Sequence, residues 1–548
     1  MPSITTLLFI FSSLLIARLL ISLSRGSSSP LPPGPKPLPL IGNIHQLPKS
    51  LQWLHLYHWS KKYGPIMHLS MGGKPLIILS THQAAHDLLN KRSSRYSDRP
   101  RMVMAGELVT KNMHMLLRPY DERYRLHQRM EAPLLTLKAA SGYRPLQDIE
   151  SRQLLFDVLR GWNEFGEKGV DFHHHHERAM ASTIYCLNYG YRLRTGYEKA
   201  LLNAKKVQAE FARTGQVGAY IVDSFPVLNY LPKIFAPWKK EGEELYELER
   251  QLHVGNLERG LHESKGWNFA KHMEKSEESK LMSTEELAFD LGILADAGLD
   301  TSTVALDWFI VAWITSGIRL GWVPKAQKLL DEVVGRTRLP TFEDRPRLAF
   351  IDAIASETLR WRPVVVGGVP HFTKTEDTYM GYRIPANSIV LGNTFAITRD
   401  ESVFGEDVDD FRPERWLADP SSPSSPSDIN GTIDVCGTNV SALKDLPQTG
   451  FGFGRRVCTG RLTSRNQLFI QMARMLWAFE VDAGVVNKKS GERHHVDDMD
   501  CTEGFVTLPK PFRAVMRPRG EWVKDVILAS GDTHGVDHAE ILEKARID

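Results

Sequence analysis

One cysteine near the C-terminal end of the chain has neighbours suited to a metal ligand. Cys458 lies in residues 451–460, a stretch with three glycines and, just before the cysteine, Arg455 and Arg456. Glycines let the backbone turn tightly and approach a flat ligand, and positive charge favours the metal-binding thiolate. Because no CxxC pair is present, this lone cysteine cannot supply the ligands of a zinc or iron–sulfur site, whereas one axial thiolate suffices for haem iron. We therefore predict a haem site at Cys458; the alternative is a buried structural cysteine.

A long apolar segment, residues 287–315, is interrupted by groups that could handle a proton. Ala297 and Gly298 are small enough to let a planar ligand lie against a helix, and Asp300 and Thr301 follow them. The Thr301 hydroxyl can bond to the preceding helical turn or to a bound oxygen species. Together with Asp300 it would then relay protons. The alternative is that this pair caps the start of a new helix.

A carboxylate and a guanidinium lie three residues apart in a predicted helix over residues 350–361. Glu357 and Arg360 therefore share one helix face and can pair. At a solvated surface such a pair would contribute little stability. The contribution of this ion pair to stability therefore depends on whether the helix is buried.

These patterns, taken together and in this order, resemble the cytochrome P450 family. The haem-binding signature is Phe451-x-x-Gly454-x-Arg456-x-Cys458-x-Gly460, the ExxR element is Glu357-x-x-Arg360, the Pro-Glu-Arg segment is 411–416, and the oxygen-activating stretch is 297–302. The resemblance runs from about residue 32 to about residue 518. It implies a mainly α fold with small β-sheets, forming a single large catalytic domain, and haem b with Cys458 as its axial thiolate.

The resemblance also implies roles for further residues. Arg415 would join Glu357 and Arg360 in a buried network, because two planar guanidiniums can share one carboxylate. The expected haem-binding residues are Cys458, Arg456, His371, Arg99, Tyr124, Phe451, Gly454, Gly460, Ala297 and Gly298, with Arg456, His371 and Arg99 facing the propionates. Val365 and Phe505 would be apolar walls of the substrate pocket.

The chain departs from the family pattern at two places. Tyr124 and Gln128 stand where a Trp-x-x-x-Arg motif is usual, so a positive charge is missing that Arg125 or Arg129 could supply. Thr459 stands where many members have proline, which restores an N–H beside the thiolate and could alter its hydrogen bonding.

The expected function is that of a haem-thiolate monooxygenase. It would insert one atom of O2 into an apolar or amphiphilic small molecule, with electrons from NADPH through a membrane-bound NADPH–cytochrome P450 reductase. Residues 367–371 and 344–348 most resemble fungal members working in secondary metabolism. Two alternatives remain: a haem-thiolate isomerase or dehydratase, whose relatives tend to lack the Asp300–Thr301 pair, and a non-catalytic membrane-anchored haem carrier.

Composition and the N-terminal residues predict the remaining partners and the location. A net charge of +3 over 548 residues, without interleaved basic and aromatic residues, argues against nucleic acid. Residues 4–23 are apolar enough for a membrane-spanning helix. Arg18, Arg25 and Lys36 lie near or after its end, which keeps the following chain cytosolic. We expect a monomer with a single-pass anchor in the endoplasmic reticulum membrane and a cytosolic catalytic domain.

The predicted organisation has four parts in sequence. They are a transmembrane anchor over residues 1–25, a proline-rich linker over 26–40, a catalytic domain over 41–518 with a flexible Ser/Pro-rich insertion at 417–449, and a C-terminal extension over 519–548.

Local patterns predict several further elements. A hairpin is expected over residues 66–79 around Gly72 and Gly73, a strand over 388–391, and helices elsewhere, including 467–480. The run of four histidines at 173–176 is interpreted as a solvated helix start rather than a metal site, since consecutive residues on a helix point in different directions.

Overall fold

The computed structural model describes residues 29–216, 218–418, 438–487 and 490–547. The chain is mainly helical, as predicted. Its α-helices are α1 Gln52–Tyr63, α2 His82–Ala85, α3 Ser93–Tyr96, α4 Glu122–Glu131, α5 Leu137–Gly142, α6 Arg144–Phe165, α7 Phe172–Tyr189, α8 Lys199–Thr214, α9 Ile221–Ser224, α10 Pro237–His262, α11 Phe269–Glu274, α12 Thr284–Ala312, α13 Trp322–Val333, α14 Ala349–Trp361, α15 Thr394–Ile397, α16 Glu401–Phe404, α17 Arg461–Ala478, α18 Glu521–Ser530 and α19 His538–Lys544.

The strands form one four-stranded sheet and three two-stranded pairs in the described part of the chain. They are β1 Ile66–Met71, β2 Lys74–Leu79, β3 His371–Thr373, β4 Asp377–Tyr379, β5 Tyr382–Ile384, β6 Ser388–Gly392, β7 Phe479–Ala483, β8 Val485–Asn487, β9 Glu492–Arg493 and β10 Ala514–Pro518. The larger sheet has the order β1-β2-β6-β3, with β2 and β6 parallel.

The predicted hairpin and strand are confirmed. β1 pairs antiparallel with β2, and the turn places Gly72 at φ 57° and Gly73 at φ 82°, the left-handed conformation that such tight hairpins require. The predicted helix 467–480 is wrong at both ends. α17 begins at Arg461 and stops at Ala478, because Phe479 enters β7 and pairs there with Pro518 of β10.

Helix α12 organises the core. Ser283 caps it by accepting a hydrogen bond from the Glu286 N–H, and two glutamates in its first turn suit the helix dipole. It packs on α7 and α10 and contributes to the largest hydrophobic cluster together with α6, α13, α14 and α17. In the described part of the chain, one helical stretch, Thr284–Gly317, is long and apolar enough to span a membrane, and it is mostly buried within the protein.

The described ends of two predicted parts pack on the core. Leu417 forms a β-bridge with Leu443, and both pack against the main core, while the flexibility expected of 417–449 stays a prediction. The C-terminal extension also packs on the core, since Val523 of α18 and Leu542 of α19 are fully buried. Residues 419–437 and the predicted anchor lie outside the described residues.

Candidate functional site

A cavity of about 800 Å³ brings the predicted chemical groups together. Its walls come from α7, α8 and α12, from the loop that carries Cys458, from the start of α17 and from residues 364–371. This volume lies within the range of roughly 300–1,000 Å³ that is usual for ligand sites. Both predicted pocket walls, Val365 and Phe505, line it.

The cysteine loop is a tight turn that glycine makes possible. The Cys458 N–H donates to the Phe451 carbonyl over 2.8 Å. Gly454 has φ +57°, and a Cβ at this position would lie 2.1 Å from the Leu89 carbonyl oxygen. No other residue fits there without moving the backbone. Gly460 then ends the loop, and α17 begins at the next residue.

Cys458 lines the cavity, and its exposed surface therefore faces the cavity rather than the outside of the protein. Protein atoms surround the remainder of the side chain closely. Burial raises its pKa, while the backbone amides of Gly460 and Arg461 and the charge of Arg461 lower it. The cation that lowers this pKa is Arg461 at the start of α17, and the predicted effect of Arg455 and Arg456 stays a prediction. The two amides at that helix start point their partial positive charge at the sulfur.

Glu357 lies at the centre of a buried network behind this loop. Arg360 donates to both of its carboxylate oxygens over 2.8 Å, and Arg415 donates over 3.0 Å. Two further donors were not foreseen from the sequence: the Arg412 N–H and the Trp416 indole, each at 2.8 Å. The FRPERW segment therefore supplies three of the groups that hold one carboxylate, and the pattern alone pointed to only one of them.

Helix α12 runs without a break through the predicted proton-handling residues, so the alternative in which Asp300 and Thr301 start a new helix is wrong. The Thr301 hydroxyl donates to the Ala297 carbonyl over 2.7 Å. Ala297 is exposed to the cavity. Gly298 also borders the cavity, but it mainly allows close helix packing, since a Cβ there would lie 2.8 Å from the Ile184 side chain of α7.

Asp300 meets an ionic cluster on α7 and α8 that the sequence did not predict. Burial and the nearby Glu177 raise the pKa of Asp300 to about 6, against the opposing charges of His173 and Lys205. Lys205 pairs with Glu177 at 2.9 Å. All four side chains line the cavity.

The histidine run was interpreted wrongly for two of its members. His173 and His176 both contact the buried Asp307 carboxylate of α12, at 2.7 and 2.8 Å. Residues three apart on α7 share one face, which turns toward the core at this point. No group of three or more potential His, Cys, Asp or Glu ligands for a metal occurs among the described residues.

A cationic cluster with no carboxylate of its own lies at another part of the cavity. Arg99 donates to the carbonyls of Leu116 and Pro370, and Arg456 donates to those of Ser97 and Arg118. Neither arginine forms a salt bridge with another described residue. Burial and the charge of Arg456 lower the pKa of Arg99 to about 9.

His371 completes this cluster. Its Nδ1 lies 2.7 Å from the Tyr96 carbonyl oxygen and so carries a proton, which leaves Nε2 for another partner. Burial and the two arginines lower the pKa of His371 to about 3. Asp98 offsets part of this positive charge, but three convergent basic groups that lack a salt-bridged carboxylate are an unfavourable arrangement unless an anion binds among them. The two propionates of haem would meet that need.

The substitute charge expected from the altered motif is absent from the cavity. Tyr124 and Gln128 line it, and the Arg456 guanidinium lies over the Tyr124 ring, 3.8 Å from its centre. Arg125 and Arg129 instead extend outward, with Glu122 and Glu278 as their nearest carboxylates. The expectation that either replaces the missing arginine is wrong, because both lie on the outer face of α4.

The residues present therefore fit haem. The Cys458 thiol, the Ala297 surface of α12 and the cluster of Arg99, Arg456 and His371 line one cavity. A thiolate suits the iron, a small residue leaves room for a planar ring, and the basic cluster suits its carboxylates.

Comparison with known proteins agrees with this geometry. The sequence profile of the family described as Cytochrome P450 matches residues 32–516. The chain is 38% identical to cytochrome P450 monooxygenase aneD of Aspergillus aculeatus, covering 94% of this chain and 93% of that protein. It is 33% identical to cytochrome P450 monooxygenase FrzL of a Cladobotryum species, covering 95% and 93%, and 35% identical to drtD of Aspergillus calidoustus, covering 89% and 86%.

These matches confirm the resemblance, the enzyme class and the cofactor predicted from the motifs. The relatives are fungal monooxygenases, as the sequence patterns indicated. The chain belongs to the cytochrome P450 family of haem-thiolate monooxygenases, whose cofactor is haem b.

Proposed function

We propose that this enzyme inserts one atom of O2 into an apolar or amphiphilic small molecule in fungal secondary metabolism, with Cys458 as the axial ligand of its haem. One observation carries the proposal: Cys458, Asp300 and Thr301 all line the same large cavity. Haem supplies the oxygen activation and electron transfer when it is bound through a thiolate. The remaining steps fall to side chains of the chain itself.

Asp300 and Thr301 would manage protons on the α12 side of the cavity. With a pKa of about 6, caused mainly by burial, Asp300 can hold and release a proton near neutral pH. The Thr301 hydroxyl donates a hydrogen bond to the Ala297 carbonyl, so its oxygen remains able to accept hydrogen bonds from other groups. This intact pair argues against the isomerase or dehydratase alternative.

The electrons would come from NADPH through a membrane-bound NADPH–cytochrome P450 reductase. Arg455, Arg461 and Arg465 flank the cysteine loop and supply positive charge on that side of the protein. Such a patch would steer an acidic partner, with an association rate that falls as salt rises.

We also propose that the protein is a monomer anchored by residues 1–25 in the endoplasmic reticulum membrane, with its catalytic domain in the cytosol. Two exposed apolar segments support membrane contact. Tyr230 and Ile234 are 83% and 84% exposed, and Leu40 is 61% exposed. Both segments lie near contacts with the β1–β2 hairpin. The Lys74 side chain of β2 donates to the carbonyl of Asp223, a few residues before Tyr230, and Gly42, close to Leu40, forms a β-bridge with Met71 of β1. Exposed apolar side chains of this size are found at surfaces that contact membranes or partner proteins.

The carbon-monoxide difference spectrum of the reduced holoprotein tests the ligand assignment. Wild-type protein should show the thiolate-type Soret band, and Cys458→Ser should lose it. Cys501→Ser is the matched control, since Cys501 lies outside the cavity lining, and it should keep the band. A Cys458→Ser protein that retains the band would refute the assignment.

Substrate-dependent NADPH consumption with a reductase present tests the reaction class. A monooxygenase consumes NADPH and O2 together with its substrate. A haem carrier or an isomerase shows no such substrate dependence.

A further inference from the structure

The cavity has an acidic region that the haem-binding and proton-handling groups do not use. It is formed by Glu249 of α10 and Asp296 of α12, which both line the cavity. Glu249 is only 3% exposed, and its Oε2 atom has no hydrogen-bond partner among the described residues. A buried carboxylate oxygen without a donor leaves the negative charge of Glu249 poorly compensated.

The nearby imidazole does not compensate both carboxylates. His253 Nε2 lies 3.5 Å from Glu249 and 3.8 Å from Asp296, within ion-pair range of both, and the two carboxylates raise the pKa of His253 against the effect of burial. Its ring packs closely on the Gly292 backbone: a Cβ on that glycine would be 2.1 Å from His253 Nδ1. Two carboxylates thus face a single basic group.

Another carboxylate in the same cavity provides a contrast. Glu177 has a direct partner, since Lys205 Nζ lies 2.9 Å from its carboxylate. No lysine or arginine among the described residues forms an ion pair with Asp296. Burial and the charges of Glu249 and Asp300 raise the pKa of Asp296 to about 7, although His253 opposes them. A cation bound there would lower that pKa.

Aromatic rings border the same cavity. His114 stacks on Phe211, with ring centres 4.4 Å apart, and both line the cavity. Burial and the charge of His253 lower the pKa of His114 to about 3, so it is neutral. Aromatic faces beside carboxylates attract organic cations through both the ring quadrupole and charge.

We propose that Asp296 and Glu249 recognise a protonated amine in the substrate, an inference that rests on the proposed monooxygenase function. Asp296 makes the direct contact, since its side chain is 18% exposed, and the more deeply buried Glu249 adds negative charge behind it. The substrate class is therefore an amphiphilic molecule with an apolar body and one basic nitrogen.

The helix also determines where such a substrate is oxidised. Asp296 precedes Thr301 by five residues, which corresponds to about 7.5 Å of helix rise. A nitrogen held at Asp296 therefore lies about that far along the helix axis from Thr301, with Asp300 one turn away. Oxidation is therefore expected at a carbon several bonds from the nitrogen.

The test compares two probes of equal length, phenylbutylamine and phenylbutanol, on the holoprotein. Equilibrium dialysis gives the two dissociation constants, and the absorption spectrum reports whether the amine nitrogen binds the iron. Wild-type protein should bind the amine about tenfold or more tightly than the alcohol, because a hydrogen bond to a buried charge is worth at least that factor. The amine should bind without a nitrogen-ligated Soret shift.

Three variants locate the effect. Asp296→Asn and Glu249→Gln should each reduce the amine preference to about twofold or less, since either removes one charge from the acidic region. Glu503→Gln removes a carboxylate from the exposed C-terminal part of the cavity wall and should keep the full preference. If one of the first two variants fails to take up haem, the other decides.

The outcomes separate this proposal from the function on which it rests. Equal binding of both probes to wild-type protein would overturn it, as would a preference that survives in both acidic-region variants. A nitrogen-ligated spectrum would also overturn it, because the amine would then lie at the iron. A wild-type preparation without the thiolate-type carbon-monoxide band would instead contradict the proposed function.

Discussion

Replacing Glu357 by glutamine should destabilise the enzyme strongly although the side chains have the same shape. The carboxylate accepts hydrogen bonds from Arg360, Arg412, Arg415 and Trp416, and it is fully buried. Glutamine removes the negative charge between two buried guanidiniums and turns one acceptor into a donor that faces other donors. Loss of one partner in a buried ion pair costs about 3–5 kcal/mol.

The matched control lies on the same segment. Glu414 pairs with Lys325 at 2.8 Å, and both side chains are exposed, so Glu414→Gln should cost less than about 1 kcal/mol. Urea unfolding, followed by tryptophan fluorescence and by loss of the carbon-monoxide band, measures both variants. Similar unfolding midpoints for the two would refute the reasoning, because burial would then contribute nothing.

If Glu357→Gln does not fold, Arg415→Lys provides a milder change. Lysine keeps the charge but cannot reproduce the planar fork that reaches Glu357 and the Asp407 carbonyl together. The unfolding midpoint of Arg415→Lys should lie below those of the wild type and of Glu414→Gln, and its haem content should be reduced.

Three further predictions concern other parts of the structure. Gly454→Ala should sharply reduce haem incorporation, because its Cβ would lie 2.1 Å from the Leu89 carbonyl oxygen; haem content per protein measures this. Arg99→Gln should speed the transfer of haem to apomyoglobin, since one basic group leaves the anion-binding cluster. Hydrogen bonds to Asp290 and Glu286 outweigh burial and raise the pKa of His127 to about 9. Because this folded-state pKa lies above the unfolded value, the stabilisation of about 3 kcal/mol is complete below about pH 6.5 and is lost as pH rises through 9. The melting temperature of wild-type protein should therefore fall more over that range than that of His127→Gln.

Each of these predictions has its own control. Gly491 also has a left-handed conformation, but a Cβ added there would have no atom within 4 Å. Gly491→Ala should therefore keep its haem content, and a normal haem content in Gly454→Ala as well would contradict the steric argument. Arg125→Gln changes an arginine outside the cavity and should leave haem transfer unaltered; equal rates in Arg99→Gln would contradict the anion-binding role. If the melting temperatures of wild-type protein and His127→Gln fell by the same amount between pH 6.5 and 9, the titration of His127 would be contradicted.

The short motifs could be read from the sequence because their physics is local. A left-handed glycine, a helix start after a cysteine and a carboxylate three residues from an arginine depend on neighbours in the chain. For this reason the loop around Cys458, the Glu357–Arg360 pair and the hairpin at Gly72 all occur where they were expected.

The errors at the histidine run and at Arg125 and Arg129 share one cause, which is the direction in which a helix face points. His173 and His176 contact Asp307, and Arg125 and Arg129 point outward, because the packing of α7 and α4 sets their orientation. The linear sequence gives the period of each helix but not its rotation against its neighbours.

The sequence by itself determined the family, the cofactor and the residues of the local motifs. Only the tertiary structure decided which charges meet across helices: Asp300 with Glu177, and Asp296 with Glu249 and His253. The physical reason is that electrostatic interactions depend on distance and burial. Residues far apart in the sequence, such as Glu249 and Asp296 at a separation of 47 positions, come together only when α10 and α12 pack.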